Sequence, residues 1–204
     1  VVGGTKNVNF DKIRKLKPDL ILCNKEENTK EMVQTLHEIA PIHVAEVITI
    51  NNAYQLIDDY GKMFHKENEA KVMIEETKLC FNQLKSISSK NNKLRVAYFI
   101  WKKPWMVAAK QTYINSIINE LGLINAFEHI ERYPVVDLDD LSNIDWVFLS
   151  SEPYPFKKED FSAFSNKRIK LEVVDGECFS WFGSRMKKSH AYFENLLHKM
   201  NNQL

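Results

Sequence analysis

Glu26, Glu27, Glu152 and Glu177 each lie just beyond a short apolar run, where a chain of alternating strands and helices places its chemistry. Two carboxylates held a few ångströms apart can divide acid and base roles in a hydrolysis. Such a pair needs a carboxyl whose pKa is raised by its surroundings, and sequence spacing alone supplies no such environment. An α/β enzyme using these carboxylates is therefore the competing reading of the chain. Ser184, in Gly183-Ser184-Arg185, lacks the second glycine of a nucleophile elbow and reads as the cap of a C-terminal helix. The 6 histidines form no HxH, HxxxH or HExxH pattern, with His37 and His43 the closest pair, so no metal site is expected. The sequence contains no P-loop or GxGxxG phosphate cradle. Cys23, Cys80 and Cys178 are odd in number, lack CxxC spacing, and read as packed small hydrophobes.

What the segments after the apolar runs do concentrate is aromatic rings. They read Asn24-Lys25-Glu26-Glu27-Asn28, then Trp101-Lys102-Lys103-Pro104-Trp105-Met106, then Ser150-Ser151-Glu152-Pro153-Tyr154-Pro155-Phe156. The last is Asp175-Gly176-Glu177-Cys178-Phe179-Ser180-Trp181-Phe182-Gly183. Three of the 4 tryptophans fall in these segments, although a core should draw aromatics into strands and helices. Planar apolar surface mixed with carboxylates and hydroxyls suits the rim of a site for a large, flat, partly polar ligand. The plainer alternative is that the rings plug the ends of a small sheet.

The elements that must position these segments alternate along the chain. Asn9 can cap a helix over 11–16, which Lys17-Pro18 ends. Residues 20–23 suit a buried parallel strand. Asn28 or Thr29 caps a helix with Met32, Val33, Leu36 and Ile39 on its inner face, and a strand near 42–44 precedes a helix over 51–64. Residues 67–88 then carry Ala70, Met73, Ile74, Thr77, Phe81 and Leu84 at helical spacing, with no Gly or Pro. That helix is roughly 30 Å long, enough to cross between two lobes. A polar hinge, Ser88-Ser89-Lys90-Asn91-Asn92, follows. Beyond it, strands are expected at 94–100, 146–149 and 169–174, and helices at 112–121, 138–141, 158–164 and 184–201.

A shift of 126 residues aligns Asp11 with Asp137, Asp19 with Asp145, Leu20-Ile21-Leu22-Cys23 with Trp146-Val147-Phe148-Leu149, and Glu26 with Glu152. The expected fold is α/β: two three-layer lobes with mainly parallel sheets, joined by one long α-helix. The N-terminal lobe spans 1–66 and is incomplete, the long helix and hinge span 67–90, and the C-terminal lobe spans 91–204. A lobe of two strands leaves open sheet edges, so self-association through it is expected.

Composition sets the outer bounds. Of 204 residues, 44% are hydrophobic and 27% charged, with 6 Gly and 6 Pro, which excludes a disordered or low-complexity chain and allows a sizeable core. Lys and Arg number 28 against 27 Asp and Glu, so no basic excess exists to hold a phosphate backbone, and nucleic acid is not an expected partner. Mean hydropathy is −0.37, and no run of about 18 apolar residues could cross a membrane. Val1-Val2-Gly3-Gly4 carries no signal-peptide pattern, so the chain is read either as cytoplasmic or as beginning downstream of its own N-terminus.

Several segments together resemble one family. They are Val2-Gly3-Gly4-Thr5-Lys6-Asn7, Lys17-Pro18-Asp19-Leu20-Ile21-Leu22 with the following 24–28, Ile100-Trp101-Lys102-Lys103-Pro104-Trp105-Met106, Arg132-Tyr133-Pro134, 150–156 and 175–185. Taken in order, they look like the substrate-binding proteins of ABC importers for vitamin B12, ferric siderophores and haem, the helical-backbone metal-receptor class. The resemblance covers essentially the whole chain. It implies two α/β lobes on one long helix, ligand capture in the cleft between them with little closure, docking on a membrane permease, and no enzymatic activity. It also implies an extracytoplasmic place, periplasmic or membrane-anchored. The ligand implied is a small metal chelate, a corrinoid (cobalamin-like) first, with a ferric siderophore or haem as alternatives, and no intrinsic cofactor.

By the same resemblance, Trp101, Trp105, Tyr154, Phe179 and Trp181 offer stacking surface. Arg132, Ser150, Ser151 and Glu152 anchor polar groups at the rim, with Tyr133 and Glu177 in the same set. The first lobe adds Asn24, Lys25 and Glu27, and Glu31 and Glu159 are the acidic residues that would meet permease arginines. Two departures from the family stand out. Members normally begin with a further strand, helix and leader. The tryptophans that grip corrin in cobalamin binders align with Asn24 and Cys178 here, with Trp101, Trp105 and Trp181 nearby. A cytoplasmic ligand sensor or scaffold on the same fold is the third reading.

Overall fold

A computed structural model describes residues 1–88, 94–166 and 168–203, so the expected hinge lies outside the described residues from Ser89 onward. The chain forms two compact units, Val1–Val47 and Ile48–Leu204.

In the first unit, β1 (Gly3–Gly4) and β2 (Asn7–Val8) form a short hairpin before α1 (Phe10–Leu16), β3 (Ile21–Asn24), α2 (Lys30–His37) and β4 (Ile42–Ala45). The Asn9 side chain accepts from the Lys12 N–H at 2.9 Å to start α1. Lys17, at φ 48°, ends that helix in the left-handed conformation, ahead of Pro18. Thr29 starts α2 in the same way, accepting from the Met32 N–H at 3.2 Å. β3 and β4 pair in parallel, with Ile21 opposite Ile42 and Cys23 opposite Val44. Ile13, Cys23, Met32 and Leu36 make the core, with Val33, Ile39, Ile21 and Ile42 packed against it.

The second unit begins with α3 (Ile50–Met63) and the long α4 (Glu67–Ser88). Then follow β5 (Arg95–Trp101), β6 (Met106–Val107), α5 (Tyr113–Glu120), β7 (Ile124–Asn125), β8 (Trp146–Ser150), β9 (Lys170–Val174), α6 (Gly176–Ser180), α7 (Ser184–Lys188) and α8 (His190–Asn201). Among the described residues the sheet runs β6-β5-β8-β9, with β7 also on β5; β5, β7, β8 and β9 are parallel and β6 is antiparallel. Successive side chains on β5 alternate between faces, so Ala97 and Phe99 join Val147, Leu149, Ile144 and Phe164 in one core. Tyr98 and Phe148 pack instead on Phe179, which in turn meets Phe193 of α8. A mainly parallel sheet buried on both faces needs near-continuous apolar strands, and Trp146-Val147-Phe148-Leu149 is one.

The architecture is the expected α/β one, with several local corrections. The compact boundary falls at 47/48 rather than at 66/67, because α3 folds back along α4. A Cβ on Gly61 would stand 2.5 Å from the Cβ of Ala70, so that antiparallel pair approaches closely only because residue 61 has no side chain. The long helix also packs on α7 and α8, inside the second unit. The helix expected over 184–201 is two, broken at Ser189, whose hydroxyl donates to the Arg185 carbonyl at 3.0 Å. Gly183, at φ 77°, holds the cap position of α7, and Ser184 is its first residue. The expected helices over 138–141 and 158–164 are 3₁₀ turns at Leu138–Asp140 and Lys158–Ala163. No helix among the described residues is long and apolar enough to cross a membrane.

Candidate functional site

Parallel pairing brings the carboxyl ends of β5, β8 and β9 to one edge of the sheet, and backbone bonds knit the following segments together. The Tyr154 N–H donates to the Ile100 carbonyl at 3.4 Å, and the Ser151 N–H to the Val174 carbonyl at 2.9 Å. The Gly176 N–H reaches the Ser151 hydroxyl at 2.9 Å. Beneath them the Tyr98 hydroxyl donates to Ser150 Oγ at 3.0 Å, and Ser150 donates to the Glu152 carbonyl at 2.5 Å. Burial drives the Tyr98 phenol pKa upward, so it is a neutral donor at any physiological pH.

The aromatic rings of this edge divide into two sets. Phe179 is fully buried between Tyr98 and Phe193, and Trp105 stacks on Phe156 at 5.8 Å and 9° while meeting Phe99 and Phe164 edge-on. These plug the sheet. Trp101, 41% exposed and edge-on to Tyr154 at 5.7 Å, and Trp181, 55% exposed, face outward. Phe179 is thus core rather than stacking surface, and Ser150, also fully buried, spends its hydroxyl inward instead of on a ligand. The plainer alternative holds for Phe179 and Trp105, which plug the sheet, while Trp101 and Trp181 are left exposed at its edge.

Charges at the rim are tied to neighbours. The Trp181 indole Nε1–H donates to Glu152 Oε1 at 2.7 Å. Arg185 pairs with Glu177 and lies 3.7 Å from Asp175. Lys102 meets Asp160 at 2.5 Å and sits 5.6 Å from the centre of the Trp105 ring. That hydrogen bond raises the Lys102 pKa and holds Asp160 below the ordinary carboxylate range. Asp175 caps α6 through the Glu177 N–H at 3.0 Å and accepts from Cys178 at 3.3 Å. Burial pushes the Cys178 thiol up to about 11, so it is protonated at neutral pH and unreactive.

Arg132 and Tyr133 lie on the segment that runs beside 105–110, at the sheet edge remote from β9 and α6. The Arg132 guanidinium stands 5.4 Å from the Tyr133 ring and donates to the Gln111 carbonyl at 3.3 Å. In the first unit, Asn24 Oδ1 accepts from the Glu26 N–H at 2.9 Å, Lys25 pairs with Glu46 at 2.5 Å, and Glu27 accepts from the Thr5 hydroxyl at 3.0 Å. Glu31 and Glu159 are exposed, on the first turns of α2 and of the 3₁₀ turn. An open groove of ≈ 710 Å³ lies elsewhere in the second unit, among Arg95, Phe127, Val135, Asp137 and Asn143, and contains no residue expected in the site. Among the described residues no cluster of His, Cys, Asp and Glu is arranged to hold a metal ion. Sequence reasoning missed Asp160, Arg185 and Gly176 as structural partners of the rim; only the last two lie within quoted motifs, and nothing in their spacing reveals whom they meet.

Residues 1–172 match the family model described as Periplasmic binding protein. The chain is 29% identical over 149 residues to the Fe(3+)-citrate-binding protein YfmC of Bacillus subtilis (strain 168), covering 71% of this chain and 46% of that protein. It therefore spans about half the length of that curated relative. A periplasmic heme-binding protein from Pseudomonas aeruginosa has a similar structure, with TM-score 0.79 at 14% identity over 97% of this chain and 78% of the other. The periplasmic vitamin B12 binding protein BtuF of Vibrio cholerae gives TM-score 0.76 at 17% identity over 100% and 82%. These two likenesses establish the fold, and with the family match over most of its length this chain belongs to the periplasmic binding protein family, a family of binding proteins and not of enzymes.

Proposed function

We propose that this protein is the extracytoplasmic substrate-binding component of an ABC importer, which captures a small metal chelate and delivers it to the permease. The observation that carries the reading is the outward-facing pair Trp101 and Trp181, with Tyr154 beside the first, held on a scaffold of this family. The chemistry of this wall is holding rather than turnover: Glu152 and Glu177 are engaged as acceptors by Trp181 and Arg185. Lys102 and Arg185 spend their charge on Asp160 and Glu177. Such a wall offers rings more than cations, which favours a macrocycle face, a corrinoid first and haem next, over a polycarboxylate. The name of the YfmC relative supports a ferric chelate as the second reading. Ser151, Glu152 and Glu177 belong to the proposed rim beside Trp181; Arg132 and Tyr133, along the other edge of the sheet, are proposed as a separate contribution, and Asn24, Lys25 and Glu27 as that of the first unit.

Calorimetric titration with cyanocobalamin, haemin and ferric citrate tests this. Sub-micromolar binding of one macrocycle, weakened at least about tenfold by Trp101→Ala or Trp181→Ala, is the expected result. Tight ferric citrate binding that ignores both substitutions would overturn the ligand class. For permease docking, Glu31→Lys with Glu159→Lys should leave titration unchanged while reducing uptake in cells; unchanged uptake would remove both residues from the proposal. Self-association is proposed through the first unit, where Leu22 and Val44 are 45% and 43% exposed on strands with no further partner among the described residues. A clean monomer by light scattering at high concentration would refute it.

A further inference from the structure

We infer that Gly176 is a positioning residue for the ligand-facing wall, acting through Glu152 on the indole of Trp181. The inference rests on the binding-protein reading for its consequence, though not for its geometry. A Cβ on residue 176 would stand 2.5 Å from Glu152 Cγ, 2.5 Å from Ser150 Oγ and 3.0 Å from the Glu152 nitrogen. Backbone conformation does not demand glycine there: residue 176 opens α6 and has no positive φ. On propensity alone, alanine would favour the helix. What the missing side chain provides is room.

The neighbours differ in their freedom to move aside. Ser150 is fully buried, and its hydroxyl is fixed between the Tyr98 hydroxyl at 3.0 Å and the Glu152 carbonyl at 2.5 Å. The Glu152 backbone follows that bond. The fixed Ser150 Oγ, at the same 2.5 Å, closes one direction to a methyl group at 176, while the Glu152 side chain is only partly buried and rotates about its own Cβ, so Cγ is the neighbour free to be displaced. Rotation at Cγ carries Oε1 away from Trp181 Nε1, now 2.7 Å distant. Trp181 sits at the end of α6 with its backbone N–H on the Glu177 carbonyl at 3.0 Å. Its main chain is therefore anchored, while its half-exposed ring depends on Glu152 for one orientation. An exposed ring that must be ordered by the ligand itself binds less tightly. Gly176 thus links the turn after β8 to the turn after β9 and pre-orients the ring that meets the ligand.

The test needs no ligand for its first arm. Trp181 emission and iodide quenching are read in the full chain as the difference between each protein and its Trp181→Phe counterpart. Gly176→Ala is expected to reproduce the red shift and added quenching of Glu152→Ala, and the double substitution to add nothing further. Glu152→Gln, whose amide oxygen still accepts, should keep the original signal. A Trp181 signal unchanged by Gly176→Ala, or full additivity with Glu152→Ala, would overturn the inference. If Gly176→Ala alone does not fold, a folded Gly176→Ala, Glu152→Ala double variant places the decisive clash at Glu152 Cγ; failure of both places it at Ser150 Oγ, equally close at 2.5 Å, and overturns the inference. In the second arm, whichever of haemin and cyanocobalamin binds the unsubstituted chain should bind Gly176→Ala about tenfold more weakly. Unchanged affinity despite an altered Trp181 signal would remove the ligand-facing role. If neither probe binds, the macrocycle reading fails, while the first arm still decides the geometry.

Discussion

At the scale of single residues, rings that look alike in the sequence carry different burdens. Trp105 is wedged among Phe99, Phe156 and Phe164, whereas Trp101 and Trp181 expose much of their surface. Trp105→Ala should therefore destabilise the protein by about 3 kcal/mol in urea denaturation, and Trp101→Ala by less than about 1 kcal/mol while removing ligand affinity. Equal losses of stability would contradict the division. The Lys102–Asp160 pair gives a pH signature. A carboxyl held low in the folded state stabilises above its unfolded pKa of about 3.9, and that contribution vanishes as pH falls through the folded value. Asp160→Asn should lower Tm at pH 7, and its Tm should converge with that of the unsubstituted protein as pH falls through the lowered folded-state value. An offset constant across pH would show that only packing was lost.

At the scale of elements, what the sequence made legible follows from length and period. α4, with 22 residues, and the apolar strands β3, β5 and β8 announce themselves through spacing and composition. β6 and β7, two residues each, and α6, five, are shorter than the window over which a period can be recognised. The inward turn of Phe179 was equally hidden, because it depends on α6 folding back over Tyr98, a contact between residues far apart in the chain. The same holds for the compact boundary, which is set by how α3 lies on α4. Caps, being local, were readable, and one gives a sharp expectation. The buried Thr112 hydroxyl accepts from the Asn115 N–H at 3.1 Å and donates to the Ala109 carbonyl at 2.7 Å. Thr112→Ala should cost about 2 kcal/mol by chemical denaturation, with most of it recovered in Thr112→Ser. A Thr112→Ser variant as unstable as Thr112→Ala would show that the methyl group, not the hydroxyl, matters.

At the scale of the whole molecule, the two units differ in the core each can bury. Val1–Val47 rests on four buried residues of one cluster, while Ile48–Leu204 packs a sheet on both faces. Small cores are marginal, so backbone amides of β3 and β4 should exchange with solvent before those of β5 and β8. Simultaneous exchange across both units would instead mean that they open as one. Family membership and the outward rings are what the proposed capture of a chelate rests on, and at the rim Glu152 accepts from the Trp181 indole while Glu177 pairs with Arg185. The most direct test of that claim is titration calorimetry of the chain with cyanocobalamin and haemin, beside its Trp101→Ala and Trp181→Ala variants. The account expects one macrocycle to bind below micromolar concentration and both substitutions to weaken it at least about tenfold. Binding that survives both substitutions, or a chain indifferent to both macrocycles, would contradict it.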